Sequence, residues 1–177
     1  MPGDIEVVEL DITLAWSDPP IWRKVRMPTH FTLGNLHEVI QCLCGWDDDH
    51  LHAFQLGRRE ICDKEDATTI ESLIANRKRK FQYIYDFGDN WMHDIRIVGR
   101  RYRVENEKEA LRLLEGENAA PPEDCGGIDG YYSLLDAAND PGHPNHDWAK
   151  EWLGEDTPDP TAFDRAAIQH CLDRLMS

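Results

Sequence analysis

The spacing of apolar positions changes several times along the chain, and each change marks an element. Residues 5–14 (IEVVELDITL) alternate apolar and polar, the period of a half-buried strand, with one slip at Val7-Val8 that a bulge would absorb. Asp18-Pro19-Pro20 is turn chemistry, and residues 21–27 (IWRKVRM) alternate again before Pro28. From Thr32 the period lengthens. Leu33, Leu36, Val39, Ile40 and Leu43 form one helical stripe, and Gly45 is placed to stop it. Residues 50–56 (HLHAFQL) return to alternation, and residues 57–67 read as a polar loop. Thr68-Thr69-Ile70-Glu71 resembles a capping box, opening a short helix through Ala75. Residues 81–97 (FQYIYDFGDNWMHDIRI) predict a hairpin. Phe81, Tyr83 and Tyr85 share a face of its first arm. Trp91, His93, Ile95 and Ile97 share a face of the second, and Asp86-Phe87-Gly88-Asp89 makes the corner.

The pattern changes after residue 103. Residues 107–114 read as a helix ended by Gly116, and residues 131–138, 144–153 and 161–176 as three more. Asp140-Pro141-Gly142 and residues 156–160 separate them. Residues 119–130 (AAPPEDCGGIDG) carry too much Pro and Gly for regular structure. The expected fold class is α+β: an antiparallel sheet with one long helix packed on it, followed by an acidic helical C-terminal region. A length of 177 residues suits one domain, 1–177, with a sheet-rich part (1–103) and a helical part (104–177).

Charge sharpens that division. The net charge is −15; residues 1–103 carry 14 Lys+Arg against 17 Asp+Glu, a net of −3, and residues 104–177 carry 5 against 17, a net of −12. Direct binding of nucleic acid normally requires a basic surface, so this balance argues against it. The exceptions are Arg77, Lys78, Arg79 and Lys80, and Arg100, Arg101 and Arg103, which bracket the hairpin and could form one basic patch. No apolar run approaches the roughly 20 residues of a membrane span, and the first residues lack a signal-peptide pattern, so the expected compartment is the cytoplasm. An odd number of cysteines, five, argues against a disulfide framework; Cys42 and Cys44 would point apart on a helix.

Three groups of residues could carry chemistry. The corner concentrates Asp86, Asp89, Trp91 and His93. As structure, Gly88 would supply a positive φ and an aspartate would cap nearby N–H groups. As a site, Asp86, Asp89 and His93 would be carboxylate and imidazole ligands for a divalent metal, or an acid/base pair. The loop Pro121-Pro122-Glu123-Asp124-Cys125-Gly126-Gly127 is stiffened at its entry, and its glycines permit close backbone approach, so Glu123, Asp124 and Cys125 would be held in place. A nucleophilic Cys125 would need a neighbouring base. His50 and His52 have strand spacing, and His143 and His146 lie near Asp140 and Asp147, in no established zinc pattern. Trp148 and Trp152 share a helix face suited to core or docking.

Three segments in order, residues 22–54 (WRKVRMPTHFTLGNLHEVIQCLCGWDDDHLHAF), YDFGDNWMHDI and EGENAAPPEDCGGIDGYYSLL, resemble the plasmid pRiA4b ORF-3-like family, whose members also occur with mobile elements. The resemblance runs from about Trp22 to Trp152 and implies an α+β fold, without an established activity or role for any residue. Many members carry extra cysteines ahead of the PPEDCGG loop, where this chain has Leu113 and Ala120, so the resemblance brings no cysteine metal cluster to Cys125.

The functional expectation is a binding or interaction module. The corner, the PPEDCGG loop and the His50/His52 segment would meet in one acidic, aromatic-lined cleft. Its guest would be cationic: a divalent metal, or a basic protein or peptide partner. The alternatives are a metal-dependent, hydrolase-like enzyme using Asp86, Asp89 and His93, and a nucleic-acid accessory factor.

Overall fold

The computed structural model describes residues 4–62, 65–154 and 159–176. Seven strands of these residues form one antiparallel sheet: β1 (Ile5–Leu14), β2 (Trp22–Pro28), β3 (His52–Leu56), β4 (Arg59–Ile61), β5 (Lys80–Tyr85), β6 (Trp91–Val104) and β7 (Arg112–Glu117). Their order is β4-β3-β5-β6-β1-β2-β7, which puts the 81–97 hairpin at the centre of the sheet. Among the described residues, six α-helices accompany it: α1 (Leu33–Cys44), α2 (Ile70–Ala75), α3 (Glu107–Ala110), α4 (Gly127–Asn139), α5 (His146–Leu153) and α6 (Arg165–Leu175). No helix among the described residues is long and apolar enough to cross a membrane.

Strand register decides which face is core. Leu10 lies opposite Ile97, Ile12 opposite Ile95 and Leu14 opposite His93. On the other side of β6, Phe81 meets Ile95, Tyr83 meets His93 and Tyr85 meets Trp91. All these side chains are buried on one face, and cross-strand pairs of this kind are the unit of sheet stability. The slip at Val7-Val8 is a register shift between β1 and β6, after which Val8, Leu10, Ile12 and Leu14 all point inward. The apolar stripe of α1 joins the same core, capped by Thr32 at its start and left-handed Gly45 at its end.

Several expectations need correction. Residues 107–114 are not one helix: α3 ends at Ala110, and residues 112–117 are the edge strand β7. Leu113 is buried while Arg112 and Leu114 are less so, a period of two that the preceding helical residues obscure. Gln169 of α6 accepts from the Leu113 N–H and donates to the Leu111 carbonyl, so α6 covers this sheet edge. The region after 103 is therefore not wholly helical, and α1, with 12 residues, is not the one long helix, since α4 has 13. The 57–67 loop contains β4 and a 3₁₀ turn at residues 65–67. The cap of α2 is Thr69 accepting from Ser72, not Thr68 paired with Glu71. The 119–130 stretch is regular from Gly127, where α4 begins. Part of the 156–160 separator lies outside the described residues. Cys42 and Cys171 form a disulfide joining α1 to α6 across 129 residues. An odd count requires only one unpaired thiol, and pairing depends on which distant elements pack together.

Candidate functional site

The corner is built by side-chain caps. Asp86 and Asn90 adopt positive φ (56° and 57°), and Gly88 does not. The left-handed positions fall on Asp and Asn, which tolerate them through local hydrogen bonds. Asp86 Oδ1 accepts from the Gly88 N–H at 2.8 Å, which sets the bend. The PPEDCGG loop is pinned onto this corner. Trp46 Nε1 donates to the Pro121 carbonyl at 2.8 Å, and Asp89 Oδ2 accepts from the Gly126 N–H at 3.1 Å. Gly127 lies so close to the Asp89 carbonyl that a Cβ there would collide with it. Glu123 is gripped from two sides: Tyr85 Oη donates to Oε1 at 2.6 Å, and the Asp47 N–H donates to Oε2 at 2.9 Å.

An acidic mouth results. The His50 ring lies between two aspartates, with Nε2 3.1 Å from Asp124 Oδ1 and Nδ1 3.8 Å from Asp86 Oδ2. One ligand atom from each of His50, Asp86 and Asp124 falls within 4.8 Å of the others. Asp86 is largely enclosed, with 13% of its side chain exposed, whereas Asp124 is 71% exposed. Leu51 and Phe87, both open to solvent, lie in the same segments. The corner, the loop and His50 thus come together. His52 does not join them. β3 begins at His52, so His50 precedes the strand and strand spacing does not govern its direction.

Trp91 and His93 lie beneath the mouth, inside the core. His93 Nδ1 is 3.2 Å from the Trp91 carbonyl, and Nε2 is 3.7 Å from Cys44 Sγ. Burial, reinforced by the Arg23 guanidinium, pushes the His93 imidazole down to about 4, so it is neutral at physiological pH. The same burial pushes the Cys44 thiol up to about 12. Among the described residues, neither Asp89 nor His93 belongs to a group with converging ligand atoms. Asp89 instead caps the backbone at Gly126. Cys125 is half-buried, and burial together with Asp89 pushes its thiol up to about 12. It remains a thiol rather than a nucleophilic thiolate at neutral pH.

A second histidine–carboxylate group escaped the sequence reading. His37 is on the buried side of α1, and its ring stacks on that of His52 with centroids 3.5 Å apart and planes within 5°. His37 Nδ1 is 2.7 Å from Tyr83 Oη, and Nε2 is 2.9 Å from Asp48 Oδ1. His52 Nε2 is 2.9 Å from Glu65 Oε2. One signal was available: His37 sits beside Leu36 within an apolar helix face, where an imidazole needs a buried polar partner. Nothing local points to Asp48 or Glu65 as that partner.

The remaining candidates are dispersed. Arg79 donates to the carbonyls of Ile97 and Gly99. Arg101 pairs with Glu6 and Glu71, and Arg103 with Asp4, so acidic neighbours offset part of the basic patch. His146 Nδ1 contacts the Ala137 carbonyl, and His143 Nδ1 accepts from the Asn145 N–H. Trp148 and Trp152 are exposed rather than core.

The fold is shared with related proteins. The family profile described as plasmid pRiA4b ORF-3-like protein matches residues 6–167, and the chain belongs to that family. It is 35% identical over 182 residues to the uncharacterized protein y4hQ of Sinorhizobium fredii (strain NBRC 101917 / NGR234), covering 96% of this chain and 92% of that one. Its fold is similar to the crystal structure of MM3350, a protein of unknown function from Methanosarcina mazei Go1. The TM-score is 0.83 at 29% identity, over 92% of this chain and 97% of the other.

Proposed function

We propose that the chain is a binding module whose mouth, between the hairpin corner and the PPEDCGG loop, receives a cationic side chain of a protein partner. The observation that carries this reading is the setting of His50, held between Asp86 and Asp124. A basic group entering there meets carboxylates from both walls. Asp86 is desolvated enough for the attraction to count, while Asp124 is open enough to attract the group from solvent. Exposed Leu51 and Phe87 offer apolar contact on the approach. The overall charge of −15 favours encounter with basic partners.

The test uses a fluorescein-labelled library of Lys- and Arg-containing decapeptides, read by fluorescence polarisation at low and high salt. Binding is expected to weaken with salt, and to fall by about tenfold or more in Asp86→Asn/Asp124→Asn. Absence of salt-sensitive binding, or binding unchanged in that variant, overturns the reading.

A second reading places a divalent cation in the same mouth, as a metal-dependent hydrolytic centre would require. The convergence of ligand atoms from His50, Asp86 and Asp124 favours it. Of the ligands expected from sequence it keeps Asp86, and it replaces Asp89 and His93 with His50 and Asp124. Metal binding abolished by Asp86→Asn/Asp124→Asn would favour this reading over the peptide one.

A further inference from the structure

We propose that His37, Asp48 and His52, supported by Glu65, form a second site, separate from the mouth, that takes a divalent first-row transition metal of the zinc class. None of its residues belongs to the mouth, so it does not rest on the proposed function.

Four observations carry the inference. First, one ligand atom from each of His37, Asp48 and His52 lies within 4.8 Å of the others, although they come from α1, the loop after it and β3. Around an ion with bonds of about 2.0–2.1 Å, tetrahedral ligand atoms lie roughly 3.3 Å apart, so the ligand atoms must draw closer and the two stacked rings must turn out of parallel. Second, each imidazole has one nitrogen held from outside. His37 Nδ1 lies against Tyr83 Oη, which accepts from Gln41 Nε2 at 3.1 Å, and His52 Nε2 lies against Glu65. Histidine ligands are typically braced in this way, the outer nitrogen being fixed so that the inner one faces the metal. A metal on His37 Nε2 would place the ring proton on Nδ1, where the Tyr83 oxygen can accept it.

Third, Glu65 Oε1 is buried and, among the described residues, has no hydrogen-bond partner, in a side chain that is largely enclosed. An enclosed carboxylate with one oxygen bonded to an imidazole and the other orphaned calls for further positive charge nearby. Fourth, the site is reachable. His37 is buried and Glu65 nearly so, but 57% of the Asp48 side chain is exposed. Two imidazoles with carboxylates are a borderline donor set that suits zinc, cobalt or nickel better than magnesium or calcium. A shared ion lies in the plane of each ring. The parallel rings therefore tilt open as it enters, with the Tyr83 and Glu65 contacts as pivots.

The test uses the full chain, purified without an affinity tag, stripped with chelator and titrated with Co(II) followed by Zn(II). One equivalent of Co(II) should give visible d–d bands that zinc abolishes. His52→Gln and Asp48→Asn should each weaken binding by about tenfold or more, while Asp86→Asn/Asp124→Asn leaves it unchanged. Asp48 is an exposed loop residue, so its variant reports on the site even if a histidine variant folds poorly. Three results would overturn the site: no binding tighter than about 100 µM, binding undiminished by Asp48→Asn, or binding lost only in the mouth variant.

Discussion

Within the 81–97 hairpin, the second arm and the corner put their polar and ionisable side chains in opposite settings. Trp91 and His93 stand on the arm and are sealed in the core, the imidazole held neutral by burial. Asp86 and Asp89 stand at the corner; one faces His50 in the mouth and the other caps the backbone of the PPEDCGG loop. Ionisable groups only a few residues apart in sequence therefore divide between the sealed core and the surface according to which face of the pleat, or which side of the bend, they occupy. The two histidine clusters repeat the lesson. His50 sits in a loop-built mouth, whereas His37 and His52 are held by a helix and a strand.

The comparison predicts large stability effects on the arm and small ones at the corner. Trp91→Ala should cost about 3–5 kcal/mol in chemical denaturation, because a fully buried indole between Tyr85 and Trp46 leaves a cavity. Trp91→Phe should cost much less, since among the described residues the buried indole N–H has no hydrogen-bond partner and its removal forfeits no bond. Equal losses for the two variants would mean that the indole N–H has a role the core reading omits.

The next effect is pH dependence. With His93 near its ordinary value of about 6.5 when unfolded and at about 4 when folded, the unfolded chain binds more protons between those values. Its contribution is present in full above pH ~6.5 and is lost as pH falls through about 4, a change of roughly 3 kcal/mol. His37, also pushed down by burial, acts in the same direction. Urea midpoints measured from pH 7 to 4 should fall steeply. They should fall less steeply in His93→Gln, even though that variant starts out less stable. A slope unchanged by the substitution would place the acid sensitivity elsewhere.

The smallest effect belongs to the corner. Asp89→Ala should cost about 1 kcal/mol, the typical loss when a carboxylate that caps backbone N–H groups is removed. A loss near that of Trp91→Ala would erase the distinction between arm and corner.

Much of this was legible along the chain, for local reasons. The alternation of 81–85 and 91–97 named the inward residues, and every one of them is buried. The same alternation put Trp91 and His93 on one face, but it could not say that this face was the core rather than a cleft. That depended on β1 pairing with β6 and on α1 covering the sheet. The capping aspartate of the corner was readable from Asp-x-Gly, whereas the left-handed positions were not, because Asp86 and Asn90 took the conformation expected of Gly88. β7 was hidden because its short alternation follows directly on a helical turn.

Local spacing and contiguous motifs specify most of the strand and helix periods, the antiparallel α+β class and the family. Which carboxylates face which histidines depends on how distant elements pack. Asp124 reaches His50 because Gly127 lets the loop press against Asp89, and His37 meets His52 because α1 packs over β3 and β5. Those meetings depend on the packing of elements distant in the chain, which no local period encodes.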